Sequence, residues 1–131
     1  PIGRWNLKYL GLNRYLLDSS YNAPINSYYM VLKEANRLAI SKKLNLMVIL
    51  GSPQEVSDVD LNQFINEITQ LLEKIRPTKL VYFGEKPLSL SFSYQYHSNL
   101  GYQYYITKNT LCVIKGAHSW RLKDVVKKNI F

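Results

Sequence analysis

The apolar and polar positions of the chain change period several times, and each period predicts an element. Tyr28, Val31, Leu32, Ala35, Leu38 and Ala39 recur at helical spacing, which predicts an amphipathic helix from about Ser27 to Ser41. Lys42-Lys43 closes it, placing cations where the helix dipole is negative. Leu44-Asn45-Leu46-Met47-Val48-Ile49-Leu50 is a short, nearly continuous apolar run ended by Gly51-Ser52-Pro53. That is the profile of an interior strand covered on both faces. A second helix is predicted next. Ser57, Asp58 and Asp60 supply its cap and early acids, Leu61, Phe64, Ile65, Ile68, Leu71, Leu72 and Ile75 form one stripe, and Pro77 blocks continuation. Lys79-Leu80-Val81-Tyr82-Phe83 is a second strand, stopped by Gly84. Strand, long helix, strand predicts a parallel crossover unit.

Leu88, Leu90, Phe92, Tyr94 and Tyr96 alternate with Ser89, Ser91, Ser93 and Gln95, predicting a strand with one wet face. A turn at Ser98-Asn99-Leu100-Gly101, a strand over Tyr102 to Ile106 and a strand over Leu111 to Ile114 follow. The chain then reads as an amphipathic basic helix from near Ser119, with Leu122, Val125 and Val126 toward the core. At the other end, Trp5, Tyr9 and Leu12 have helical spacing and Gly11 suits a helix terminus, whereas Asn13 to Asn26 is rich in Asn, Ser and Tyr and contains Pro24. The expected architecture is α/β: a single small domain over residues 27–131, with a mixed, mainly parallel sheet flanked by helices. An N-terminal arm and linker over residues 1–26 precede it. Met47, Ile49, Phe64, Ile68, Leu72, Val81 and Val113 are the expected core.

Composition fits this picture. The chain has 131 residues, of which 47% are apolar, so it can bury a core without staples. No apolar stretch approaches the roughly 20 residues that span a bilayer. The single cysteine, Cys112, lies in an apolar run and reads as a buried, inert thiol; with no intramolecular disulfide possible, a reducing, cytoplasmic setting is expected. The net charge of +8 is uneven. Residues 1–43 carry seven Lys/Arg against two Asp/Glu, residues 44–75 one against five, and residues 76–131 nine against two. An acidic segment between two basic ones suggests surfaces with different partners.

Reactive chemistry is sparse. His97 and His118 stand apart in sequence and no Cys/His cluster exists, so no metal is expected. Ser119 beside His118 reads as a helix cap rather than a nucleophile with its base. Gly51-Ser52-Pro53 lacks the further glycines and the lysine of a phosphate loop, and Pro53 removes a backbone donor; it reads as an ordinary turn, and no cofactor is expected. Tyrosine is the unusual residue, with eleven copies, several near cations. Tyr104, Lys108, Lys127 and Lys128 are therefore candidate nucleic-acid contacts. A small nucleic-acid-acting enzyme, glycosylase-like or nuclease-like, is the alternative that this basic, tyrosine-rich half leaves open.

The order of the elements resembles the psi subunit of the bacterial DNA polymerase III holoenzyme. The resemblance begins in Trp5-Asn6-Leu7-Lys8-Tyr9-Leu10-Gly11-Leu12-Asn13-Arg14-Tyr15-Leu16-Leu17 and continues in Ala39-Ile40-Ser41-Lys42-Lys43-Leu44-Asn45-Leu46-Met47-Val48-Ile49, which is similar to the segment entering that family's first core strand. It implies a non-catalytic adaptor. In that family the N-terminal arm docks on the gamma/tau collar of the clamp loader. The α/β domain binds the chi subunit, which links to single-stranded-DNA-binding protein. Trp5, Leu7, Leu10, Gly11, Leu12 and Tyr15 would be the partner-binding residues, and no membrane is involved.

Overall fold

The computed structural model describes residues 6–20 and 24–127. Its helices form where the periodicity places them. Helix α1 (Asn26–Lys42) buries Tyr28, Val31, Leu32, Ala35 and Ala39, and Lys43 ends it in the left-handed region at φ 58°. Helix α2 (Asp58–Ile75) starts where the Ser57 side chain accepts a bond from the Asp60 amide at 3.1 Å. It buries Phe64, Ile68 and Leu72 and ends at Arg76, one residue before Pro77. Among the described residues, no helix is long and apolar enough to cross a membrane.

The strands are β1 (Asn6–Gly11), β2 (Arg14–Ser19), β3 (Asn45–Gly51), β4 (Lys79–Phe83), β5 (Gln95–His97), β6 (Tyr104–Tyr105), β7 (Thr110–Lys115) and β8 (Val126–Lys127). Six build one sheet in the order β1-β2-β7-β3-β4-β5, and β6 pairs with β8 separately. Within the sheet only β1–β2 is antiparallel; the other pairings are parallel. The fold is thus a mixed, mainly parallel α/β sheet flanked by helices. From β2 through β3 and β4 to β5 the chain advances across the sheet in one direction, and its connections α1, α2 and residues 84–94 all pack on one face. The return from β5 to β7 reverses direction, and Tyr104 and Ile106 on that connection pack on the opposite face. Right-handed crossovers require this change of face. The expected core residues are all buried. Phe64, Ile68, Leu72 and Val113 lie on the helical side, and Met47, Ile49 and Val81 on the other.

The N-terminal expectation is overturned. Residues 6–19 are neither a helix nor a linker but a hairpin whose second strand lies inside the sheet between β1 and β7. Leu16 and Leu17 enter opposite core clusters. The two-residue turn Leu12-Asn13 has both residues at positive φ, 56° and 57°, the geometry that matches strand twist in tight hairpins. The Arg14 guanidinium, buried, donates to the carbonyls of Leu10 (2.7 Å), Gly11 (3.1 Å) and Ile106 (3.4 Å), tying the hairpin to the sheet. A boundary between an arm and a separate domain near residue 26 therefore does not hold for these strands.

Two further elements differ. The alternating stretch over Leu88 to Tyr96 forms a ladder only at Gln95–His97. The preceding residues pack Leu88, Leu90, Phe92 and Tyr94 on the helical side from an irregular loop. The Glu73 carboxylate holds that loop by accepting from the Ser91 amide at 2.6 Å and hydroxyl at 2.5 Å. The closing helix is replaced by two 3-10 turns, His118–Trp120 and Leu122–Asp124, and by β8. Arg121 between them sits at φ 51°, which interrupts any helix. The Trp120 indole donates to the Ser52 carbonyl at 2.9 Å and pulls the segment onto the sheet, while Leu122, Val125 and Val126 are buried as expected.

Integration of the hairpin sets a stability test. Leu17→Ala should cost about 2–5 kcal/mol, as for a fully buried leucine, read from urea midpoints. Deleting residues 1–17 should abolish the cooperative transition, because the edge of β7 and both core clusters would be opened. A truncated protein with an unchanged midpoint would show that β2 is not part of the folding unit.

Candidate functional site

The carboxyl ends of the parallel strands gather the polar side chains that the core does not explain. Ligands in open α/β sheets bind at this edge, where connections leave toward opposite faces. The chain leaves β2 and β3 toward the helical face but leaves β7, between them, toward the other. Lys115 is the last residue of β7.

Strand alternation decides what surrounds Lys115. It pairs with Ser19 of β2 and Leu50 of β3 and shares their face, the helical one. Asp18 pairs with Ile114 and faces the other way. Its carboxylate accepts from the Ser20 amide (3.0 Å) and hydroxyl (2.7 Å), and Lys123 lies 3.6 Å away. The nearest carboxylate in the sheet is therefore not the partner of Lys115. The Lys115 ammonium sits 5.3 Å from the centre of the Tyr28 ring, and the side chain is 2% exposed. Burial pushes its pKa down to about 8. The Tyr28 hydroxyl, itself pushed up by burial, donates to the Gly51 carbonyl at 2.8 Å.

Close packing holds these ends together. A Cβ on Gly116 would come within 2.8 Å of the Gly51 Cα, and one on Gly51 within 2.6 Å of Trp120 Cδ1. A cavity of about 110 Å³ lies between Lys115, Gly116 and Ala117, the start of α1 at Pro24, Ile25 and Tyr28, and the loop residues Pro53, Gln54 and Val56. That same loop borders a larger cleft of about 600 Å³, which extends over Leu61, Ile65, Tyr82 and Trp120. Neither His97 nor His118 is among the described residues lining it. The Ser119 hydroxyl donates to the Gln54 side chain rather than meeting His118. Among the described residues, no group of three or more His, Cys, Asp or Glu is placed to hold a metal.

The residues singled out from sequence fall into two other places. Leu7, Leu10, Gly11, Leu12 and Tyr15 come together on the hairpin; Trp5 lies outside the described residues. Leu7 (40%) and Leu12 (57%) are exposed, as is Tyr9 (61%), while Leu10 and Tyr15 are half-buried. A bulge between Tyr9 and Gly11 accompanies a Leu10 packed on the non-helical core. Tyr104 and Lys127 are brought close through β6 and β8, with Lys127 over the Tyr105 ring at 5.1 Å and Lys79 over Tyr104 at 4.8 Å. Tyr104 also bonds His97 Nε2 at 2.5 Å, and partial burial lowers the His97 pKa. Lys108 is exposed in the turn entering β7, and Lys128 lies outside the described residues. Sequence reasoning missed Lys115 and Arg14 as structural features. The available signal for Lys115 was a lysine ending an otherwise apolar run immediately before a glycine.

Lys115 makes stability depend on pH with a definite sign. Its folded pKa of about 8 lies below its ordinary value of 10.5, so the unfolded chain holds the proton more tightly. The destabilisation is complete below pH 8 and is relieved as pH rises toward 10.5. Tyr28 and Tyr82, raised from 10.0 by burial, begin to oppose folding above pH 10. Relative to Lys115→Met, the wild-type protein should gain unfolding free energy between about pH 8 and pH 10, measured by urea midpoints at each pH. Parallel pH profiles would show that Lys115 is not desolvated.

No protein-family model matches the chain, and no curated protein matches it significantly.

Proposed function

We propose that this protein is a non-catalytic adaptor of the replicative DNA polymerase clamp loader. In this reading the β1–β2 hairpin engages the gamma/tau collar, and the α/β body engages the chi subunit and through it single-stranded-DNA-binding protein. One observation carries the proposal. The described part of the first segment that resembles the psi subunit, residues 6–17, lies on a hairpin whose outer strand, β1, is an edge of the sheet, with Leu7 and Tyr9 exposed on that strand and Leu12 exposed in the turn after it. An edge strand offers backbone donors and acceptors for strand addition, and exposed apolar side chains beside them supply anchors. The body supplies rigidity: β2 is held by β7 through six register pairs and by the Arg14 bonds.

The proposal is tested by charge placed on the anchors. Leu7→Asp with Leu12→Asp should lower affinity for the clamp-loader collar by about tenfold or more. Asp tolerates the left-handed backbone that Leu12 occupies, so the urea midpoint should change little. Unchanged collar affinity in the folded variant would remove the adaptor role assigned to the hairpin.

A further inference from the structure

The cavity at the end of β7 is built around an ammonium that the protein leaves uncompensated. Lys115 is 98% buried, yet among the described residues it makes no hydrogen bond and no ion pair. The aromatic face of Tyr28 is its described contact. A buried charge without a counter-charge is costly, and a bound anion would offset that cost. The opposite wall reinforces the same sign. It is the N-terminus of α1, a 17-residue helix, with no acidic residue in the first turn and no side-chain cap at Ile25. The Ser27 and Tyr28 amides already donate to the Pro24 and Ile25 carbonyls at 2.9 and 3.0 Å, so this wall contributes the positive end of the dipole, without acidic side chains, rather than those donors. Helix α2 differs: the Ser57 hydroxyl and Asp58 and Asp60 already occupy its start.

We propose that this cavity binds a phosphate group, with Lys115 as its cation and the first turn of α1 as its second positive wall. The proposal does not depend on the adaptor role. At about 110 Å³ the cavity has room for an oxyanion, since about 10–15 Å³ on the same measure already holds one water. The loop at Pro53, Gln54 and Val56 borders both this cavity and the 600 Å³ cleft, so a group esterified to that phosphate would extend past it into the cleft. Glu55, Asp58 and Glu85 line that cleft against one cation, Lys86. A second phosphate there would meet net negative charge. The ligand class is accordingly a monophosphate, either inorganic phosphate or a monoester whose remaining part is neutral, with Tyr82, Leu61 and Ile65 as its apolar floor.

The test follows the lysine itself in the full-length wild-type protein. With 13C-labelled lysine, the Lys115 Cε resonance, assigned by its loss in Lys115→Met, is followed during titration with inorganic phosphate and, separately, with a nucleoside 5′-monophosphate. Sodium chloride at matched ionic strength is the control. Phosphate should produce a saturable shift that chloride does not, and should raise the pH midpoint of the Lys115 titration. Lys115→Met should bind phosphate about tenfold or more weakly, read from the phosphorus resonance. A nucleotide that binds about tenfold more tightly than phosphate identifies an ester as the ligand; equal affinities identify free phosphate. The proposal is overturned if neither titrant shifts Lys115 beyond the chloride control. It is also overturned if folded Lys115→Met binds phosphate as well as the wild type. The wild-type titration decides the matter even if that variant does not fold.

Discussion

Strand β7 is the constraint on which the rest of the structure depends. Its six residues are all buried, and it is hydrogen-bonded to β2 on one side and β3 on the other. Both neighbours come from the first half of the chain, whereas β7 comes from the last quarter. The sheet therefore lacks its centre until residues 110–115 are in place. Long-range parallel pairing costs loop-closure entropy before it returns burial, which makes this topology slow to form. The hairpin meets the same condition: Thr110 and Asn109 donate to the carbonyls of Asn13 and Leu12, so the entry to β7 and the hairpin turn hold each other.

The sheet's two faces are covered by different means. The helical face is closed by α1 and α2, whose periodic stripes need no help from distant residues to be amphipathic. The opposite face is closed by residues 104–106 and 117–127, which have little regular structure and depend on particular contacts. Trp120 reaches Ser52 only because Gly51 has no side chain, and Gly116 lets β7 turn beside Gly51. A substitution at either glycine would displace backbone or an anchored indole, which is more disruptive than an equal change on the helical side.

What could be read from the sequence divides along this line between local and long-range causes. Both helices, β3 and β4 were legible because their periodicity, caps and stops lie within their own segments: Ser57 before α2, Pro77 after it, Gly84 after β4. The hairpin was not. Trp5, Tyr9 and Leu12 fit a helical period by coincidence, and the burial of Leu16 and Leu17 comes from β7, distant in sequence. The turn at Leu12-Asn13 also lacks the glycine that usually marks such a hairpin. Over Leu88 to Tyr96 the alternation was genuine, but Glu73 and α2 satisfied it with a loop. Of the candidate contacts, those on the hairpin and the pair Tyr104 and Lys127 converge because strand pairing joins them, whereas Lys108 stands in a turn outside both pairings. Lys115 was visible only as a charge, since its isolation comes from strand alternation that turns Asp18 to the other face.

The position of the hairpin would change the energetics of the proposed adaptor role. A free arm must lose backbone entropy of roughly 1–2 kcal/mol per residue when it orders on a partner, and a few anchors have to offset that loss. Here β2 is ordered by β7 and β1 by β2, so residues 6–11 would meet a partner with their backbone already extended. More of the contact free energy then appears as affinity. The same preorganisation couples binding to the fold. A partner strand added to β1 would extend a sheet whose next members are β2 and β7, and it would stabilise the folded chain in proportion to its preference for that state over the unfolded one. The partner's free energy would thus be transmitted through β2 to the central strand, whose far end carries Lys115.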